Sequence, residues 1–184
     1  MSAAILKWIY SGGGPYILAT RNNALAWLGT QSLSAGDGSR FENDYERACE
    51  SKDYVSVIPG KSHEILVIGE PDETAWLSRE PDDILLVKWV GADSDQQVWE
   101  ALQCLDFEWF ETLPIRFTVF EPKMFLFDSA WQLADIGDNY LELTLQLGRY
   151  AVSALNYEPN DRVSLHLIRL KRIAELAAPA FAAI

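Results

Sequence analysis

Apolar and polar residues alternate with a period of two along much of the chain. In the run Ile115-Arg116-Phe117-Thr118-Val119-Phe120-Glu121, the alternation holds until Phe120. Leu141, Leu143, Leu145 and Leu147 are separated by Glu142, Thr144 and Gln146 in the same way. Successive side chains of a strand point to opposite faces, so this pattern predicts antiparallel strands with one face buried. Further strands are predicted over 4–10, 15–20, 54–59, 64–69, 84–90, 149–156 and 162–171. Pro59-Gly60-Lys61-Ser62 fits a hairpin connection and Glu158-Pro159-Asn160-Asp161 a turn.

Helical spacing is rarer. Ser94-Asp95-Gln96-Gln97 reads as a capping box, followed by Val98, Trp99, Leu102 and Leu105 on one helical face. Asn43 is placed to cap a short helix through Glu50, and Asn23 another around Ala24 to Leu28. The sum predicts an α+β fold: a mainly antiparallel, sandwich-like sheet with two or three short helices, in one domain over 1–184. Two stretches also resemble each other. Ile65–Ile68 leads through acidic turns around Trp76 to a strand at Ile84, and Met124–Phe127 leads past Trp131 to a strand at Tyr140. An ancient duplication into halves of about 1–110 and 111–184 explains this, and so does coincidence in a β-rich chain.

Composition narrows the class. The chain has 184 residues, enough for an ordinary hydrophobic core without a metal or disulfide. Cys49 and Cys104 lie 55 residues apart, outside any Cys-x-x-Cys pair, and are expected to be reduced and buried. No secretory leader and no apolar run of membrane-spanning length is visible, so a reducing cytoplasm is the expected location. The net charge of −12 is uneven: residues 61–123 carry 5 basic and 14 acidic side chains, a net of −9. Direct nucleic-acid binding is disfavoured, because phosphate neutralisation needs clustered Lys and Arg.

Catalytic patterns fail. Gly60-Lys61-Ser62 ends like a phosphate-binding loop, but Val55 stands where its first glycine belongs and no helix pattern follows. Gly12-Gly13-Gly14-Pro15 lies between strands and reads as a tight turn. His63 and His166 lack metal-ligand spacing, and His166 alternates with Leu165 and Leu167 as an exposed or satisfied strand residue. The expectation is no enzyme activity, no cofactor and no metal.

A block of residues then matches a known pattern. It runs through Asp44-Tyr45-Glu46-Arg47-Ala48-Cys49, Asp53-Tyr54 to Pro59, Leu66-Val67-Ile68-Gly69-Glu70-Pro71, Thr74, Trp76 and Lys88-Trp89. With the opening Trp8-Ile9 and Gly13-Gly14-Pro15, this resembles the immunity protein 21 family of bacterial polymorphic-toxin systems over about residues 5–95. Glu46 and Lys88 depart from the family pattern, where aspartate and arginine are expected; Lys88 keeps charge but lacks a bidentate fork. The resemblance implies a protein that binds and neutralises a cognate toxin in the producing cell. A general β-sandwich interaction or regulatory module is the alternative. The acidity points to a basic toxin, nucleases being one class with positive surfaces. The expected contact face is the acidic middle around an aromatic anchor: Glu70, Asp72, Glu73, Trp76, Glu80, Asp82, Asp83, Asp93 and Asp95. The Asp44, Tyr45, Arg47, Asp53 and Tyr54 motif is expected mainly to staple a short helix to the sheet.

Overall fold

Two antiparallel five-stranded sheets bury the alternating pattern against each other in the computed structural model, which describes residues 6–32, 40–51 and 54–176. The first sheet contains β1 (Tyr16–Thr20), β2 (Val55–Pro59), β3 (Glu64–Ile68), β7 (Lys123–Asp128) and β8 (Leu141–Thr144), ordered β2-β3-β1-β7-β8. The second contains β4 (Glu73–Glu80), β5 (Asp83–Gly91), β6 (Glu111–Val119), β9 (Gly148–Asn160) and β10 (Val163–Ala174), ordered β4-β5-β10-β9-β6. Each sheet draws strands from both halves of the chain. Trp76 lies within β4 rather than in a turn, while Trp131 lies in the loop between β7 and β8.

Strand parity divides the apolar residues into three layers. Tyr16, Leu18, Leu66, Ile68 and Leu126 meet Ile84, Leu86, Phe117, Val152 and Ile168 in the core between the sheets. On the outside of the first sheet, Ile17, Ala19, Ile65, Val67 and Phe127 are covered by α1 (Arg21–Ala26) and α2 (Asp44–Cys49). On the outside of the second, Leu85, Val87, Leu165 and Leu167 are covered by α3 (Asp95–Gln103) through Val98 and Ala101. Covering both faces explains why β1 is buried at every position instead of alternating.

Local chemistry sets the helix ends. Ser94 caps α3 at Gln97 N–H, and Asn43 caps α2 at Glu46 N–H, as their sequences predict. The expectation for Asn23 is corrected: Thr20 caps α1, its side chain accepting from Asn23 N–H. Asn23 sits within the helix and is buried because its carboxamide serves the β2–β3 hairpin. Its Nδ2 donates to His63 O at 2.6 Å, and its Oδ1 accepts from Ser62 N at 2.9 Å and Ser62 Oγ at 3.0 Å. Within the expected strand over 4–10, the described residues 6–10 make only an isolated antiparallel bridge from Ile9 to Thr74; residues 4 and 5 lie outside the described residues. Both cysteines are free, and both are exposed rather than buried: Cys49 ends α2 and Cys104 caps α3, away from the packed faces.

The Asn23 clamp generates the first prediction. Asn23→Ala removes three part-buried hydrogen bonds to the hairpin and should lower stability by about 1–2 kcal/mol. Urea unfolding followed by tryptophan fluorescence measures this; a loss under about 0.5 kcal/mol would show that the clamp contributes little.

Candidate functional site

The inner face of β5 carries Ile84, Leu86 and then Lys88, so the strand's own period turns a lysine into the space between the sheets. Lys88 is fully buried. Its Nζ donates to Gly69 O at 2.5 Å and to Glu70 O, the carbonyls of the segment that carries the chain from β3 to β4. The rings of Tyr16 and Tyr54 lie 5.1 and 5.7 Å from it, which supports a cation on their faces. Burial pushes the Lys88 ammonium down from the usual lysine range to about 8, with Asp72 and Glu70 acting in the opposite direction.

Around this amine the backbone and side chains are unusual. Glu70 has φ of 62°, the single non-glycine residue with positive φ among the described residues. Such a conformation costs roughly 1–2 kcal/mol for a residue with a Cβ. His166 of β10 faces Asp72, Nδ1 to Oδ2 at 3.4 Å, and packs edge-on to Tyr54 with centroids 5.5 Å apart. Tyr54 Oη, Asp72 Oδ2 and His166 Nδ1 are buried atoms that make no hydrogen bond. Burial also pushes the Tyr16 and Tyr54 hydroxyls upward. His166 is therefore an inward-facing, half-buried residue, not one of an exposed strand face, because β10 presents it on the side of Ile168 and Leu170.

Two clefts open on either side of Tyr54 and Glu70. One, of about 570 Å³, runs toward Trp109, Glu111, Asn156 and His166. The other, of about 490 Å³, runs toward the Gly13–Pro15 turn and Cys49. Gly14 lets the Tyr45 ring lie against the turn, since a Cβ there would stand 2.5 Å from the ring. The Asp44–Arg47 segment holds α2 in place: Asp44 accepts from Leu28 N at 2.8 Å and pairs with Arg47 at 3.0 Å, and Arg47 lies over Trp27. Asp53 lies outside the described residues.

The expected contact residues separate into two groups. β4 and β5 form an antiparallel hairpin in which Glu73 pairs with Trp89 and Glu80 with Asp83. Glu70, Asp72 and Glu73 therefore lie at one end, with Asp93 and Asp95 just beyond the end of β5. Glu80, Asp82 and Asp83 lie at the other end, about 23 Å away at the usual strand rise. Two of the far group are already engaged: Asp83 is closed by a bidentate Arg169 at 2.8 and 2.6 Å, and Asp82 lies 3.7 Å from Arg172. Trp76 is partly buried against the central core. Asp95 accepts from the Trp8 indole at 2.7 Å. Tyr54, Lys88 and His166 were not singled out as one site by sequence; the signal for two of them was their place in the family-like block.

Lys88 makes stability depend on pH in a defined direction. Its folded-state pKa is about 8 and the unfolded value about 10.4, so between these the unfolded chain holds the proton that the folded chain has released. Stability should rise by about 2 kcal/mol from pH ~8 to pH ~10, then fall as the tyrosines ionise in the unfolded chain. Lys88→Met should abolish the rise. Urea midpoints across this range test it; a flat parent profile, or one unchanged by Lys88→Met, would contradict the assignment.

No match was found among curated proteins or among solved structures. The family model described as immunity protein 21 matches residues 7–163, which covers β1 to β9 and the three α-helices and ends at the first residue of β10. The chain belongs to the immunity protein 21 family.

Proposed function

We propose that this protein neutralises a cognate bacterial toxin by binding it directly in the cytoplasm of the producing cell, without a catalytic step. The family match over 7–163 carries this reading. The construction of the site supports it. Glu70 is held in a costly conformation by bonds from a buried lysine, and strain of this kind collects where function constrains the backbone. Of the acidic middle, the end bearing Glu70, Asp72 and Glu73, with Asp93 and Asp95 beside it, is the proposed contact face. Its opposite end spends Asp82 and Asp83 on Arg172 and Arg169. Trp76 serves the core rather than the partner. A basic toxin fits the net charge of −12, and a nuclease is one such toxin.

Co-expression with the product of the adjacent toxin gene tests the reading: protection together with a co-purifying complex supports it, and neither would sink it. Within such a complex, Glu70→Lys with Glu73→Lys should slow association about tenfold at low salt, with the difference shrinking at high salt. Glu80→Lys with Asp82→Lys should change the rate less than about twofold. Equal effects from the two pairs, measured by stopped flow, would reject the proposed face.

A further inference from the structure

The cleft between the open ends of the two sheets has a chemistry of its own. β6 pairs with β9 only as far as Glu111 opposite Ala154, whereas β9 continues to Asn160. The departure of β6 leaves a gap over Ala154, Leu155 and Asn156, and the cleft of about 570 Å³ occupies it. Tyr54 and Glu70 close it from the first sheet; Trp109, Glu111 and His166 close it from the second. Trp109 is 57% exposed although it is among the largest side chains, and its ring rests at 6.1 Å from Tyr157. No lysine or arginine lines the cleft, and two carboxylates do. Lys88 acts on Glu70 from within the fold, but its amine is held by backbone carbonyls and it does not line the cleft.

An exposed indole in one cleft with two carboxylates matches the needs of one planar cation. A guanidinium stacks on an aromatic face while its fork donates to carboxylate oxygens. From this geometry we infer that the cleft is a socket for a single arginine side chain presented by the protein partner. The inference rests on the toxin-binding reading for the identity of that partner. The occupant is a side chain rather than a metal ion: no group of His, Cys, Asp and Glu among the described residues is arranged to hold one.

The socket can be tested without the toxin. The probe is N-acetyl-arginine amide titrated into the full-length protein, with the Trp109 indole N–H followed by NMR; the uncharged isostere N-acetyl-citrulline amide is the control. The arginine probe should shift the Trp109 signal and saturate with a Kd of about 1 mM, as suits one small ligand held by a few contacts. The Glu70→Gln, Glu111→Gln double variant should bind it about tenfold more weakly. Folding of the variant is checked by its unfolding midpoint, and Glu70→Gly, which relieves the positive φ, gives a second variant expected to fold and to bind more weakly. An equal response to citrulline, no response to arginine, or unchanged affinity in both variants overturns the socket. Protection from the toxin by a protein whose cleft ignores arginine leaves the toxin reading standing and removes only this inference. Arginine binding without protection does the reverse.

Discussion

Lys88 has to satisfy its amine without water, because β5 delivers it to the space between the sheets three-quarters of the way along an otherwise apolar face. The only solution at that depth is backbone oxygen, and the carbonyls of Gly69 and Glu70 provide it. Those two residues are where the chain leaves the first sheet for the second. The bond therefore does more than stabilise a charge. It pins the crossover, and the crossover reaches the lysine only with Glu70 in the left-handed region. From this follow the placement of the Glu70 side chain outside, the approach of Asp72 to His166, and the wall that Tyr54 and Glu70 form between two clefts. A compact amine fits between two carbonyls, whereas a planar fork needs paired acceptors.

The layering makes that constraint affordable. Helices on both outer faces bury β1 and most of β5 completely, so the two sheets meet as a dry interior rather than as a half-wet sandwich. A protonated lysine in such a place costs about 3 kcal/mol relative to water, given its lowered pKa. A core of this extent offsets a penalty of that size, whereas a two-stranded edge does not. The energetic burden thus lies at one end of the molecule and the stabilising area elsewhere, an arrangement common where backbone geometry serves a surface.

Much of the architecture was legible in the sequence because period-two alternation and cap chemistry are local signals. The strands at 64–69, 84–90 and 149–156, the β2–β3 hairpin, and the Ser94 and Asn43 caps all follow from residues within a few positions of each other. β4 was not legible, since Glu73, Ser78, Arg79 and Glu80 give an edge strand the composition of a turn. Asn23 misled because its preference for a cap was overridden by a tertiary partner 39–40 residues away. The site was legible only in part. Glu70, Asp72 and Glu73 stood out by charge, but Tyr16, Tyr54, Lys88 and His166 come from four separate strands or their approaches, and no spacing along the chain unites them.

The same limit applies to charge. Counted along the sequence, residues 61–123 form one block of net −9. Folded into the β4–β5 hairpin, the block becomes two groups separated by about 23 Å, nearly three Debye lengths at physiological salt, where that length is about 8 Å. A single side chain of a partner cannot contact both. Asp83 and Asp82 are paired with Arg169 and Arg172 within the fold, so their field is partly offset before any partner arrives. The group at the Glu70 end has the buried Lys88 ammonium behind it and His166 beside Asp72, and among the described residues no arginine pairs with it. On the proposed reading, an incoming basic surface is oriented by the end of the sandwich where the backbone strain also lies.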